Sequence, residues 1–457
     1  MFKKLARTLY GNFESREELK KFGLLAVIFG FTIGVYWVLR PLKDNVFINM
    51  VGVDWQPYAK VLSLFFIVPL VILYSKLIDK YPRHKLFYVL AGVYGVLALL
   101  FGIAMMHPTL GLANPLTSPW RVLGWAWYVY VESFGSIMVA LFWSFAADTT
   151  NPESAKRGFP LVALGAQIGG VIGPFFVKPI VKQYGSAPCA IASAFLIFAI
   201  AGMIWIFMKY TPQDQLKGFE QKKEAAPKAK PSFLDGIRLI CSEMYLLGIF
   251  VVVSIYEIIV TVLDFRLKAL ASSKFSAVVM AANGGVLDKG MLDKLLGEFM
   301  FSFATWTNFV ALICILVGVN TIGRRIGLTA SLILTPVLVG LSVVTLSFYP
   351  MLVVAFWIVV FSKGINYALN QPSKEQLYIT TSKDAKYKSK AWIDMFGSRS
   401  SKGIGSLLNM LRKVIGNSGY AAISTVVSLA LIFPWIWVAI YIGNRNKKAV
   451  QEDKVVC

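Results

Sequence analysis

Eighteen uncharged residues run from Phe22 to Leu39 (FGLLAVIFGFTIGVYWVL), and apolar stretches of similar length recur along the chain. A helix of about 20 such residues crosses the hydrocarbon core of a bilayer. Inside that core the backbone has no water to bond, so a spanning segment must be a helix or part of a closed barrel. Further stretches lie near Val61–Ile78, Leu86–Met106, Val122–Phe145, Phe159–Ile180 and Ala187–Met208. In the second half they lie near Tyr245–Leu263, Phe301–Val319, Leu328–Phe348, Met351–Leu369, Ala391–Val414 and Tyr420–Ile442. Asp394, Arg399 and Lys402 interrupt the eleventh. With 57% hydrophobic residues, 15% charged and a mean hydropathy of +0.64, the 457-residue chain is too apolar for a water-soluble domain. The expected fold class is an all-α membrane protein of about twelve transmembrane helices.

The net charge is +22, and its placement says more than its size. Lys and Arg crowd the N-terminus, the 76–85 turn, Lys156-Arg157, the 209–238 stretch, Arg324-Arg325, the 374–390 stretch and the 445–448 tail. These are alternate connections, which predicts that they and both termini face the cytoplasm. Attraction to anionic lipid accounts for most of the charge, and nucleic-acid binding is not expected. Glu14, Glu17 and Glu18 near the start run against an acid-poor transit peptide, and the first apolar run is long enough to span rather than be cleaved. Cys189, Cys241, Cys314 and Cys457 are scattered without CxxC spacing, so no metal or redox cofactor is expected. No Walker loop or metal triad suggests an enzyme.

Tyr210–Pro231 is polar and rich in Pro, Ala and Lys. It predicts a cytoplasmic linker (210–243) between a first half at 1–209 and a second at 244–457. The halves echo each other. Asp79–His84 follows span two and Asn320–Arg325 follows span eight, while Gly165–Gly173 in span five matches Gly397–Gly405 in span eleven. For Gly165, Gly169 and Gly173 close helix packing is the favoured role. Two six-span halves with basic turns at matching places resemble the major-facilitator architecture, which implies parallel halves and a central cavity opened alternately to each side. The 266–300 connection is long, with apolar positions at helical spacing (Val286, Met291, Leu292, Leu295, Leu296). It reads as an external insertion, either a lid or a plain surface helix.

Charge at membrane depth is costly, about 2.5–3.5 kcal/mol on insertion scales, and so marks function. Arg40, Lys43 and Asp44 follow span one; they snorkel at the outer interface, or line a cavity if the helix continues past Pro41 toward Met50. Glu132 in span four and Glu257 in span seven sit well inside their spans and must be paired, protonated or water-facing. Asp264, Arg266 and Lys268 follow in span seven, Lys363 and Asn366 lie in span ten, and Asp394, Arg399 and Lys402 in span eleven. A cavity lined by such cations suits a polyanion, because Arg grips phosphate bidentately and Lys acts as a point charge. Tyr128, Gln167, Tyr256 and Asn366 are candidate polar or base contacts, although aromatic residues at such places also serve as core or lipid-facing side chains.

The RPLKDN of Arg40–Asn45, the VESFGS around Glu132, and the stretch from KEQLYI (Lys374) through KSKAWIDMFGSRSSKG (Lys388–Gly403) resemble the ATP/ADP translocases of obligate intracellular bacteria and plant plastids. The resemblance covers nearly the whole chain. It implies a twelve-span antiporter exchanging ATP for ADP, in a family whose members also use other nucleotides or NAD, or couple uptake to protons. It further implies that Lys43, Glu132 and Lys402 matter for transport. On that reading Arg40, Lys43, Arg399 and Lys402 bind phosphate, with Asp44, Glu132, Glu257, Asp264, Arg266 and Lys268 as charge partners. The chain departs from the family pattern at span seven, where Glu257 lies about a turn early and only Arg266 and Lys268 remain of the basic group. The bacterial branch, the cytoplasmic membrane and a monomer are the accompanying expectations. The alternative is a proton-coupled or exchange transporter of another nucleotide or NAD, or of a different organic anion.

Overall fold

The computed structural model describes residues 13, 15–212, 233–316, 327–382, 389–390, 392–452 and 454–456. Most of the predicted linker, the Asn320–Arg325 turn, the first twelve residues and part of the 374–390 basic stretch lie outside the described residues. The described residues are mostly helical: α1 Arg16–Met50, α2 Gln56–Lys80, α3 Arg83–Met106, α4 Val122–Asp148, α5 Pro152–Tyr184 and α6 Ser186–Tyr210. A short α7 (Phe233–Ser242) precedes α8 Met244–Ala282, α9 Lys289–Leu316, α10 Leu328–Phe348, α11 Leu352–Ile365, α12 Gln371–Leu377 and α13 Ser398–Glu452. Ten of these are long and apolar enough to cross a membrane. Two details reconcile that number with the twelve expected spans. The 55-residue α13, ~82 Å if straight, breaks at Gly416 (φ 73°) into two arms. The shorter α11 runs on through a π-helical segment, Asn366–Asn370, into α12.

The chain packs as two compact units, one of residues 1–224 with 272–308, the other of 225–271 with 309–457. Residues 266–300 form no helix of their own. They extend α8 to Ala282 and begin α9 at Lys289, so the apolar periodicity there belongs to two spanning helices.

In the first unit α1 starts at Ser15, whose hydroxyl accepts from the Glu18 amide at 3.0 Å, with Glu17 and Glu18 placed favourably at the positive end of the helix dipole. Pro41 does not end it. Its ring removes one backbone hydrogen bond, a small loss beside that of unwinding backbone among apolar neighbours, and the helix continues to Met50.

α1 and α5 meet backbone to backbone. A Cβ at Gly30 would come 2.6 Å from the Gly165 carbonyl oxygen, and one at Gly173 would come 2.5 Å from that of Gly34. The glycine row of α5 therefore serves close helix packing. Its counterpart in the second unit behaves alike: a Cβ at Gly405 of α13 would lie 2.9 Å from the Ile258 carbonyl oxygen of α8. Aromatic rings fill the first unit's interior, with Phe29 stacked on Phe142 at 4.2 Å and 10°. Phe65, Phe66, Phe175, Phe176 and Phe195 face outward, as expected where the surroundings are lipid.

Candidate functional site

Continuation of α1 past Pro41 decides where its charges go. Lys43 is 4% exposed, which rules out reaching headgroups. Its ammonium forms an ion pair with the Glu132 carboxylate of α4, lies 3.7 Å from Asp44 and sits 4.4 Å from the centre of the Tyr128 ring. Asp44 also accepts from the Gln56 amide at 2.7 Å. Arg40 stacks its guanidinium 4.9 Å from the Trp37 ring. Lys43 is thus enclosed by two carboxylates and an aromatic face, with the Glu132 side chain, 32% exposed, its most accessible partner. A buried ion pair of this kind is costly to assemble, and removal of one member leaves an uncompensated charge worth about 3–5 kcal/mol.

The second unit repeats the theme with the accessibilities reversed. The Lys402 ammonium of α13 stands 3.5 Å from Glu257 of α8; here the lysine is the open member at 43% and the acid the covered one at 18%. Ser398, one turn earlier on α13, donates to the same Glu257 oxygen at 2.9 Å, and the next residue in the chain, Arg399, is half-buried. Two turns further along α8, Asp264 holds Lys363 of α11 at 2.5 Å on one oxygen and Lys268 at 2.7 Å on the other. Arg266, buried, donates to Thr425 at 3.1 Å.

The remaining candidates divide. Tyr128 belongs to the Lys43 cluster. Tyr256 is buried edge-on to Trp435, its hydroxyl 3.5 Å from the Ser362 carbonyl. Asn366 is buried at the start of the π-helical segment, accepting from the Asn370 amide at 2.9 Å. Gln167 is half-buried on α5 and joins none of these clusters. A second π-helical segment, Ile393–Gly397, immediately precedes Ser398. Such segments are rare and concentrate at functional sites, and both lie next to charged clusters here.

Sequence reasoning missed three partnerships. Lys363 clamps Asp264 across 99 residues of chain. Lys374 pairs with Asp394 at 2.8 Å. The third ties Asn45 and Ser186 to Asp293, which lies in the segment expected to be an external lid or surface helix. A groove of about 640 Å³ between α2, α3 and α4, lined by Phe66, Leu70, Leu97 and Trp125 among others, is almost wholly apolar and offers nothing to an anion.

Apolar spanning helices in two units, each burying lysine–carboxylate pairs at membrane depth, define a multi-pass membrane transporter. The chain belongs to the TLC ATP/ADP transporter family, which it matches over residues 1–445. It is 23% identical to ADP,ATP carrier protein 3 of Rickettsia prowazekii (strain Madrid E), the match covering 95% of this chain and 96% of that protein. It is 27% identical to ADP,ATP carrier protein 1 of Chlamydia muridarum (strain MoPn / Nigg), over 92% and 87%. Its fold is similar to that of the nucleoside transporter NupG (TM-score 0.58, 13% identity, 93% of this chain and 99% of that). It is also similar to a bacterial homologue of the iron transporter ferroportin (TM-score 0.61, 13% identity, 94% and 100%). These are major-facilitator-like folds, in agreement with the architecture the sequence implied.

Proposed function

We propose that this transporter exchanges ATP for ADP by alternating access, with the phosphates held by Lys43 and Arg40 in one unit and by Lys402 and Arg399 in the other. The observation that carries this reading is the pairing of Lys43 with Glu132 and of Lys402 with Glu257. In the empty protein each carboxylate keeps its lysine compensated. A nucleotide's phosphate is a stronger, multidentate partner for the same ammonium and displaces the acid. A carrier whose lysines had lost both acid and phosphate would enclose bare charge in a low dielectric, so the return step favours a reloaded site. Binding shifts the conformational equilibrium only by the nucleotide's difference in affinity between states.

One chain supplies both clusters, so a monomer suffices. The names of the rickettsial and chlamydial relatives support adenine nucleotides as substrates, and the spanning helices support a membrane location, which we take to be the bacterial cytoplasmic membrane. The alternating basic connections support cytoplasmic termini.

The test is counter-flow in proteoliposomes. Labelled ATP should enter vesicles preloaded with ADP and fail to enter empty ones. Uptake that ignores internal ADP but collapses with an uncoupler would replace exchange by proton coupling, and uptake of other anions in preference to nucleotides would overturn the substrate.

A further inference from the structure

Asp264 is bridged by two lysines, Lys363 on Oδ1 at 2.5 Å and Lys268 on Oδ2 at 2.7 Å. All three side chains are largely buried, at 10, 14 and 8% exposure respectively. Lys363 lies eleven residues into α11 (Leu352–Ile365), ~16 Å along the axis, too deep for its stem to reach a headgroup. A contact whose purpose was only to fasten α11 to α8 would need one lysine for one acid. Here one negative charge is set between two ammonium groups, each on its own oxygen, and a phosphate group presents oxygens in the same relation.

Three residues beyond Lys363, just past the end of α11, the helix widens into the Asn366–Asn370 π segment, a feature that is rare and concentrates at functional sites. We propose that Lys363 is a polyphosphate-binding residue of the transporter, and that Asp264 is a placeholder that a nucleotide's outer phosphates displace from Lys363 and Lys268. This assignment rests on the nucleotide-exchange reading above. It adds to that reading a residue outside the RPLKDN and GSRSSKG motifs, and an acid whose removal should strengthen binding rather than weaken it.

The placeholder makes opposite predictions for the two partners. While Asp264 occupies the lysines, apparent affinity is reduced by the fraction of protein in which they are engaged. Dissociation constants of AMP, ADP and ATP are to be measured on the purified full-length protein in detergent. Wild type should bind more tightly as phosphates are added. Lys363→Gln should weaken ATP and ADP at least tenfold and AMP less than twofold, and Lys363→Arg should keep ATP within threefold. Asp264→Asn should bind ATP at least threefold more tightly while exchange in proteoliposomes slows.

If either single variant is unstable, the triple variant Lys363→Gln/Asp264→Asn/Lys268→Gln removes the cluster without leaving one of its charges buried. It should show the same tenfold loss for ATP. Unchanged ATP affinity in Lys363→Gln, equal losses for AMP and ATP, or weaker binding by Asp264→Asn would overturn the assignment, with wild-type binding intact. A wild type that binds none of the three nucleotides would instead overturn the exchange reading itself, and this assignment with it.

Discussion

Asn45 and Asp293 stand 248 residues apart in the chain and are joined by the Asn45 amide, which donates to the Asp293 carboxylate at 2.7 Å and to its backbone carbonyl at 2.9 Å. The same carboxylate accepts from the Ser186 amide at 2.7 Å and its hydroxyl at 2.8 Å. One buried acid thus fastens the end of α1, the start of α6 and the start of α9. Lys289, a turn before it, donates to the Asn49 carbonyl at 3.2 Å. Asp293→Ala strands the Ser186 N–H in dry surroundings, at roughly 1–3 kcal/mol for a buried group left unsatisfied, and removes the acceptor of the Ser186 hydroxyl, while the Asn45 amide keeps the backbone carbonyl at position 293 and the Ser186 hydroxyl oxygen. A clear fall in the thermal midpoint of the solubilised protein is the expected outcome, with Asn45→Ala costing less because Ser186 still serves the acid.

The α1–α5 seam permits no side chain. Gly165→Val would drive its Cβ into the Ala26 carbonyl, and the two backbones would have to part. Overpacking costs typically 1–3 kcal/mol, and here the obstructing atoms are backbone that cannot change rotamer. The variant should accumulate poorly in membranes, whereas Gly92→Val, with open space at its Cβ, should accumulate normally. Western blots of membrane fractions compare the two.

The two lysine–acid pairs should respond differently to loss of the acid. Glu132→Gln leaves Lys43, only 5% accessible, with Asp44 at 3.7 Å as its remaining acidic neighbour, whereas Glu257→Gln frees an already open Lys402 to hydrate. The first should therefore lower thermal stability more, by about 2 kcal/mol or more against under about 1 kcal/mol for the second. Equal shifts would mean that Lys43 becomes hydrated, or is held by Asp44, once Glu132 is neutral.

Lys43→Ala removes the buried cation from the proposed phosphate site. Labelled nucleotide uptake by intact cells should be abolished while the protein inserts at wild-type levels. Full uptake would remove Lys43 from the transport path.

The spans were legible because lipid imposes one periodicity-independent rule, length of apolar run, and the α5 and α13 glycines were legible because a small residue repeated every turn admits a second backbone. Glu132 was legible as a residue needing a partner, since its neighbours along the helix are apolar. Lys43 was not placed by sequence, because Pro41 ordinarily signals the end of a helix and here does not. The 266–300 segment misled for a related reason. Its apolar positions at helical spacing suggested an external helix, yet Lys289 and Asp293 between them are buried and turn to the polar groups of other helices, and spacing alone cannot tell water from a polar neighbour. The Asp264–Lys363 contact left no local trace at all, since its halves belong to spans seven and ten.

The helix that carries Lys43 is the one whose glycines press against α5. A cylinder seated backbone to backbone along Gly30 and Gly34 cannot roll about its own axis without lifting off its neighbour, so the lysine three turns further on is indexed like a tooth on a fixed gear. Any anion that meets it must travel to that address; the address does not swing out to collect it.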